Sequence, residues 1–177
     1  MTLLSPGVRK LALVAHITSS VGWIGAIVAF VALAVAGLGS HDPNVVRGAY
    51  LMMELTGSFV LVPLSLASLA TGLVQSLGTR WGLVRHYWIL AKLLINVVSS
   101  VVLVTYTPVL AELADLAVQD PSRRAAGGLL RSPTAVIHGS AALGLLVLAT
   151  TLSVYKPAGM TPYGQRKQRE QRMLAQP

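Results

Sequence analysis

Residues 11–38 hold no formally charged side chain. A helix needs about 20 predominantly apolar residues to cross the hydrocarbon core of a bilayer, so this run alone is long enough to span one. Three more follow: 50–77 carries only Glu54, 87–110 carries only Lys92, and 133–155 carries no formal charge. Membrane-spanning strands are about half this length and alternate in polarity, which leaves helices, whose backbone groups are satisfied internally in lipid. Composition agrees, with 54% apolar and 11% charged residues, against roughly 25% charged in soluble domains. The expected fold class is all-α, an integral membrane four-helix bundle with helices at about 11–38, 43–77, 86–119 and 133–155. No linker or composition break divides residues 1–160, so they form one transmembrane domain, followed by a basic polar tail over 161–177.

Local chemistry sets the ends. Asp42-Pro43 is an N-cap followed by Pro at the first helical position, so the second helix starts ahead of its apolar run. Asp120-Pro121 and Ser132-Pro133 repeat the pattern, and a short surface helix is expected over 121–130. Pro63 and Pro108 imply kinks or local breaks. Ala34-Val35-Ala36 resembles a leader cleavage site, but the apolar run before it is far longer than a leader core of about 7–15 residues. It also contains His16 and Trp23, so it is read as a retained helix.

Basic residues in short flanks set orientation. One side carries Arg9, Lys10, Arg80, Arg85, Lys156, Arg166, Lys167, Arg169 and Arg172; the other carries Arg47, Arg123, Arg124 and Arg131. Both termini are therefore expected in the cytoplasm, in a multi-pass protein of the cell membrane. The net charge of +8 does not indicate nucleic acid, because the basic residues flank apolar runs or sit in the tail. The tail itself is expected to be disordered or interfacial, drawn to anionic headgroups. With no cysteine, disulfides, thiolate metal sites and thiol catalysis are excluded.

Polar residues within the runs fall on stripes. The second helix has Glu54, Ser58, Ser65, Ser68, Gly72 and Gln75; the third has Lys92, Asn96, Ser99 and Tyr106. Ser19, Gly22, Ala26 and Ala29 give the first helix a small-residue face suited to close packing, compatible with a homodimer. The ionisable residues need a further reason. Lys92 lies about five residues into its span, about 7.5 Å deep, where snorkelling relieves part of its cost. His16 lies at matching depth from the same side, with His86 nearer the surface. Glu54 and His138 match in depth from the other side, with His41 in the loop above them. An intramembrane histidine serves as a haem axial ligand, a proton relay or an interhelical hydrogen bond, and spacing alone leaves all three open.

Two resemblances bear on the choice. "HITSSVGWIGA", "LTGSFVLVPLSLASLATGLVQSLGTRWGLVRHYWILAKLL" and "LSVYKPAGMTPYGQRKQ" resemble a family of predicted integral membrane proteins without assigned function, across nearly the whole chain. Two shorter motifs are similar to the membrane-bound, haem-containing protoporphyrinogen oxidase family. They are His16, six residues, then Trp23-Ile24-Gly25, and Trp88, three residues, then Lys92-Leu93. That resemblance implies haem b with His16 as axial ligand, Lys92 needed for function, and a porphyrin or quinone as substrate. Departures are Leu90, where the family often has His, and "FVALAVAGLGS" in place of an arginine- and tyrosine-bearing helix end.

The expectation is thus a b-type haem protein of redox or electron-transfer function. His16 ligates iron, and Lys92 donates to a propionate or a substrate carboxylate. Arg85 pairs with propionates, Trp23 and Trp88 pack on the ring, and His138, oriented by Glu54, marks a possible second haem. The alternatives are a protoporphyrinogen-oxidase-like enzyme with Lys92 catalytic, or a cofactor-free structural or assembly protein. Transport is disfavoured by the apolar middle between the two polar clusters.

Overall fold

The computed structural model describes residues 5–78, 82–119 and 128–174. Four apolar helical spans are present: Pro6–Gly39, Pro43–Gly78, Tyr87–Val118 and Thr134–Tyr155. Each is long and apolar enough to cross a bilayer, and large apolar side chains such as Phe59, Leu11 and Val154 project outward along them. The chain is an all-α membrane bundle, as expected.

The helix ends follow from capping. α1 (Pro6–Gly39) starts at Ser5, whose hydroxyl accepts from the Val8 N–H at 3.4 Å, with Pro6 in the first turn. α2 (Pro43–Thr56) starts at Asp42, whose carboxylate accepts from the Asn44 N–H at 2.8 Å. The second span then passes through a π-turn (Gly57–Leu61) into α3 (Val62–Gly78). Pro63 is the cause. Its ring crowds the carbonyl four residues back and supplies no N–H, and the wide turn, closed by Val62 N–H donating to the Gly57 carbonyl, takes up the misfit.

α4 (Tyr87–Val118) accommodates Pro108 without a break. The carbonyl that proline leaves unpaired is that of Val104, and the Thr107 hydroxyl donates to it at 2.7 Å. α5 (Thr134–Tyr155) begins one residue later than the Ser132-Pro133 reading places it; the Ser132 hydroxyl accepts from the Thr134 N–H at 3.4 Å. α5 ends where Lys156 turns left-handed at φ 43°. Of the surface helix expected over 121–130, residues 121–127 lie outside the described part, and Gly128–Arg131 is a 3-10 turn.

The spans form a ring in chain order. α1 packs on the second span and on α5, α4 packs on the same two, and the diagonal pairs do not meet. One face of the bundle carries the start of α1, the loop before α4 and the end of α5; this is termed the terminal face. The apolar core fills the half nearer the opposite face. Trp23, Ile27, Phe30, Tyr50, Met53, Leu61, Leu110 and Leu113 meet there, and Leu130 closes its outer end. The half nearer the terminal face buries serines instead, namely Ser19, Ser65, Ser68, Ser99 and Ser100.

Of the two expectations for the tail, disordered or interfacial, the structure corrects the first. Pro162–Leu174 is a helix, α6, not a disordered end. The Thr161 hydroxyl caps it, accepting from the Gly164 N–H at 3.1 Å while donating to the Val84 carbonyl at 2.6 Å. Thr161 N–H donates to the Arg85 carbonyl at 3.0 Å, and His86 and Met160 form an antiparallel bridge. Gly164 lies so close to Arg85 that a Cβ would overlap the Arg85 carbonyl oxygen, so only glycine fits there.

Candidate functional site

The polar half of the bundle centres on Ser68, which is 2% exposed. Its hydroxyl meets Ser20 Oγ of α1 at 2.9 Å and accepts from Asn96 Nδ2 of α4 at 3.2 Å, so one side chain ties three helices. The knot fixes relative depth. Ser20 is one turn beyond His16 and Asn96 one turn beyond Lys92, so His16 and Lys92 each lie one turn nearer the terminal face than Ser68, on diagonal helices. They are level, as counting along the spans predicts.

His16 is half-buried against α3. Its Nδ1 lies 3.2 Å from the Ser68 carbonyl oxygen and 3.1 Å from Thr71 Oγ1. A carbonyl only accepts, and the Thr71 hydroxyl is already donating to the Ala67 carbonyl at 2.6 Å. Nδ1 therefore carries the proton and donates to both, which leaves the Nε2 lone pair free. Gly72 makes room for the ring; a Cβ there would stand 3.2 Å from His16 Cε1. One turn nearer the terminal face, Gln75 Nε2 donates to the Ala12 carbonyl at 3.2 Å and continues the α1–α3 seam.

Lys92 has no carboxylate partner among the described residues. Its Nζ stands 5.8 Å from the centre of the Trp88 ring, a cation–π distance, and Trp88 in turn lies 6.3 Å from His86. Beyond the Ser68 knot, several buried polar atoms lack a partner among the described residues: Asn96 Oδ1, Ser99 Oγ, Ser100 Oγ and Trp23 Nε1. Trp23 is 1% exposed and belongs to the apolar core cluster with Ile27 and Phe30. Arg85 sits in the loop that receives the tail, half-buried, with its carbonyl engaged by Thr161.

The outer pair is not brought together. Glu54 lies on α2 and His138 on α5, and those helices occupy one diagonal of the ring. His138 is exposed, its Nδ1 donates to the Thr134 carbonyl at 2.8 Å, and its ring stacks on Tyr106 with centroids 5.0 Å apart. His41 is an exposed loop residue. Near His138 a pocket of about 70 Å³ is lined by Tyr50, Tyr106, Ser132 and Thr134, among others. It is large enough for water and well under the roughly 300 Å³ of a small-molecule site.

Among the described residues, no three His, Cys, Asp or Glu side chains converge as a metal-binding group. Ser20 and Thr71 join the site unforeseen. Ser20 lies one turn from His16 and Thr71 three residues from Ser68, spacings that packing stripes also produce. No family model, curated protein or solved structure matches the chain. The resemblance to the haem-containing oxidases accordingly rests on its two short motifs.

Proposed function

We propose that this membrane protein binds haem b in the polar half of the bundle, with His16 as axial ligand, and serves redox or electron transfer. The observation that supports this reading is the state of the His16 ring. Its Nδ1–H is anchored to a backbone carbonyl and a threonine, the arrangement that orients a ligating imidazole and raises the basicity of its other nitrogen. His16 Nε2 would hold the iron. Lys92, a cation without an anionic partner among the described residues, would donate to a propionate carboxylate. Bound haem would supply a one-electron couple, and the chain would set its position and surrounding polarity. The terminal face would then be the cytoplasmic one.

The test is haem titration of detergent-purified protein. The proposal expects His16→Ala to remain folded and lose haem binding, and Lys92→Gln to weaken binding without removing the ligand's spectral signature. Equal binding by wild type and His16→Ala would overturn it. One observation favours a second reading, a cofactor-free structural or assembly protein: the knot already gives Ser20, Ser68 and Asn96 a packing role. That reading expects no haem binding at all and His16→Ala to fold normally.

A further inference from the structure

We infer that α6 is a membrane-surface helix whose Gln165, Gln168, Arg169 and Arg172 face holds the phosphate of an anionic phospholipid headgroup, independently of the haem reading. Three observations carry this. The first is position. Only residues 156–161 separate the last span from α6, and the Thr161–Arg85, Thr161–Val84 and Gly159–Tyr87 bonds fasten its start to the loop that opens the third span. These bonds hold the first turn of α6 at the ends of the spans, where headgroups lie. The second is shape. Gln165, Gln168, Arg169 and Arg172 recur at helical spacing on one face of α6, around an open space of about 200 Å³. Two guanidiniums one turn apart suit a phosphate, which accepts paired N–H bonds.

The third is charge balance. Among the described acidic residues, Asp42, Glu54, Glu112 and Asp115 fall in the middle spans or on the opposite face, and only Glu170 lies in the tail. Glu170 is taken up by Lys167 at 3.1 Å. Arg166, Arg169 and Arg172 have no carboxylate partner among the described residues. A basic helix that starts at the span ends, with three arginines lacking a carboxylate partner among the described residues, is complementary to anionic lipid.

Native mass spectrometry of the full chain in detergent, with phosphatidylglycerol or phosphatidylcholine of the same chain length, tests this. Wild type should retain phosphatidylglycerol in preference to phosphatidylcholine. Arg169→Gln/Arg172→Gln should bind it about thirtyfold more weakly, from the usual gain per basic residue near an anionic surface. Both side chains are exposed and glutamine is a good helix former, so the fold is retained. Arg47→Gln, at the opposite face, should bind as wild type does. Equal retention of the two lipids, or unchanged binding by the double variant, would overturn the inference. Displacement of the lipid by millimolar inorganic phosphate would overturn the lipid assignment in favour of a soluble phosphate ligand.

Discussion

Ser68→Ala is the most informative change to the bundle. It deletes the hydroxyl shared by Ser20 and Asn96, and with it two interhelical hydrogen bonds of 2.9 and 3.2 Å. Such bonds average about 0.6 kcal/mol in membrane bundles and reach about 1.7, so the two together contribute about 1–3 kcal/mol. The upper part of that range is expected, because Asn96 Oδ1 already lacks a partner among the described residues and the substitution would strand its amide as well. Ser65→Ala is the internal control. Ser65 is as deeply buried, but its hydroxyl donates to Val62 of its own turn at 2.9 Å and joins no second helix. Unfolding by SDS titration in mixed micelles, run as a Ser68→Ala and Asn96→Ala double-mutant cycle, should return a coupling of at least about 0.5 kcal/mol. The reasoning is refuted if Ser68→Ala costs no more than Ser65→Ala and the cycle shows no coupling.

Three further outcomes follow from the same geometry. Gly72→Ala places a methyl 3.2 Å from His16 Cε1, so the ring must shift; haem affinity should fall in titration, while the helix-propensity gain of about 1 kcal/mol keeps the protein folded. Gly164→Ala sets a Cβ into the Arg85 carbonyl oxygen, which no side-chain movement relieves, and limited proteolysis should cut residues 156–164 faster than in wild type. Tyr50→Phe removes the buried 2.6 Å bond from the tyrosine hydroxyl to the Leu130 carbonyl; it should cost about 1 kcal/mol and speed amide exchange over 128–131.

Hydropathy carries the spans because lipid punishes every exception along some twenty residues, and the helix starts at Pro43 and Thr134 lie where their caps indicate, to within a residue. Depth was legible for a related reason. Rise per residue is constant in a helix, so His16 and Lys92 could be levelled by counting. Azimuth was not. Glu54 and His138 match in depth, yet they lie on helices that sit diagonally across the ring, and counting along a chain says nothing about which neighbour a helix acquires. The same gap hid the partners of His16, since Ser68 reads as one member of a polar stripe and Thr71 stands out only when α3 is placed beside α1. α6 escaped notice because its polar composition favours solvent, whereas its first turn is fixed by Val84 and Arg85, about eighty residues away in sequence. Pro63 announced an irregularity in the second span, but whether it becomes a bend or a π-turn depends on how the following turns pack.

The central claim is that the polar half of the bundle holds haem on His16. The absorption spectrum of the full chain, purified in mild detergent after expression with haem supplied and recorded before and after dithionite, tests it most directly. A sharp Soret band with a b-type α band on reduction, absent from His16→Ala prepared in parallel, is the predicted result. A colourless wild-type protein would contradict the claim and leave His16, Lys92 and the Ser68 knot as the polar interior of a cofactor-free bundle.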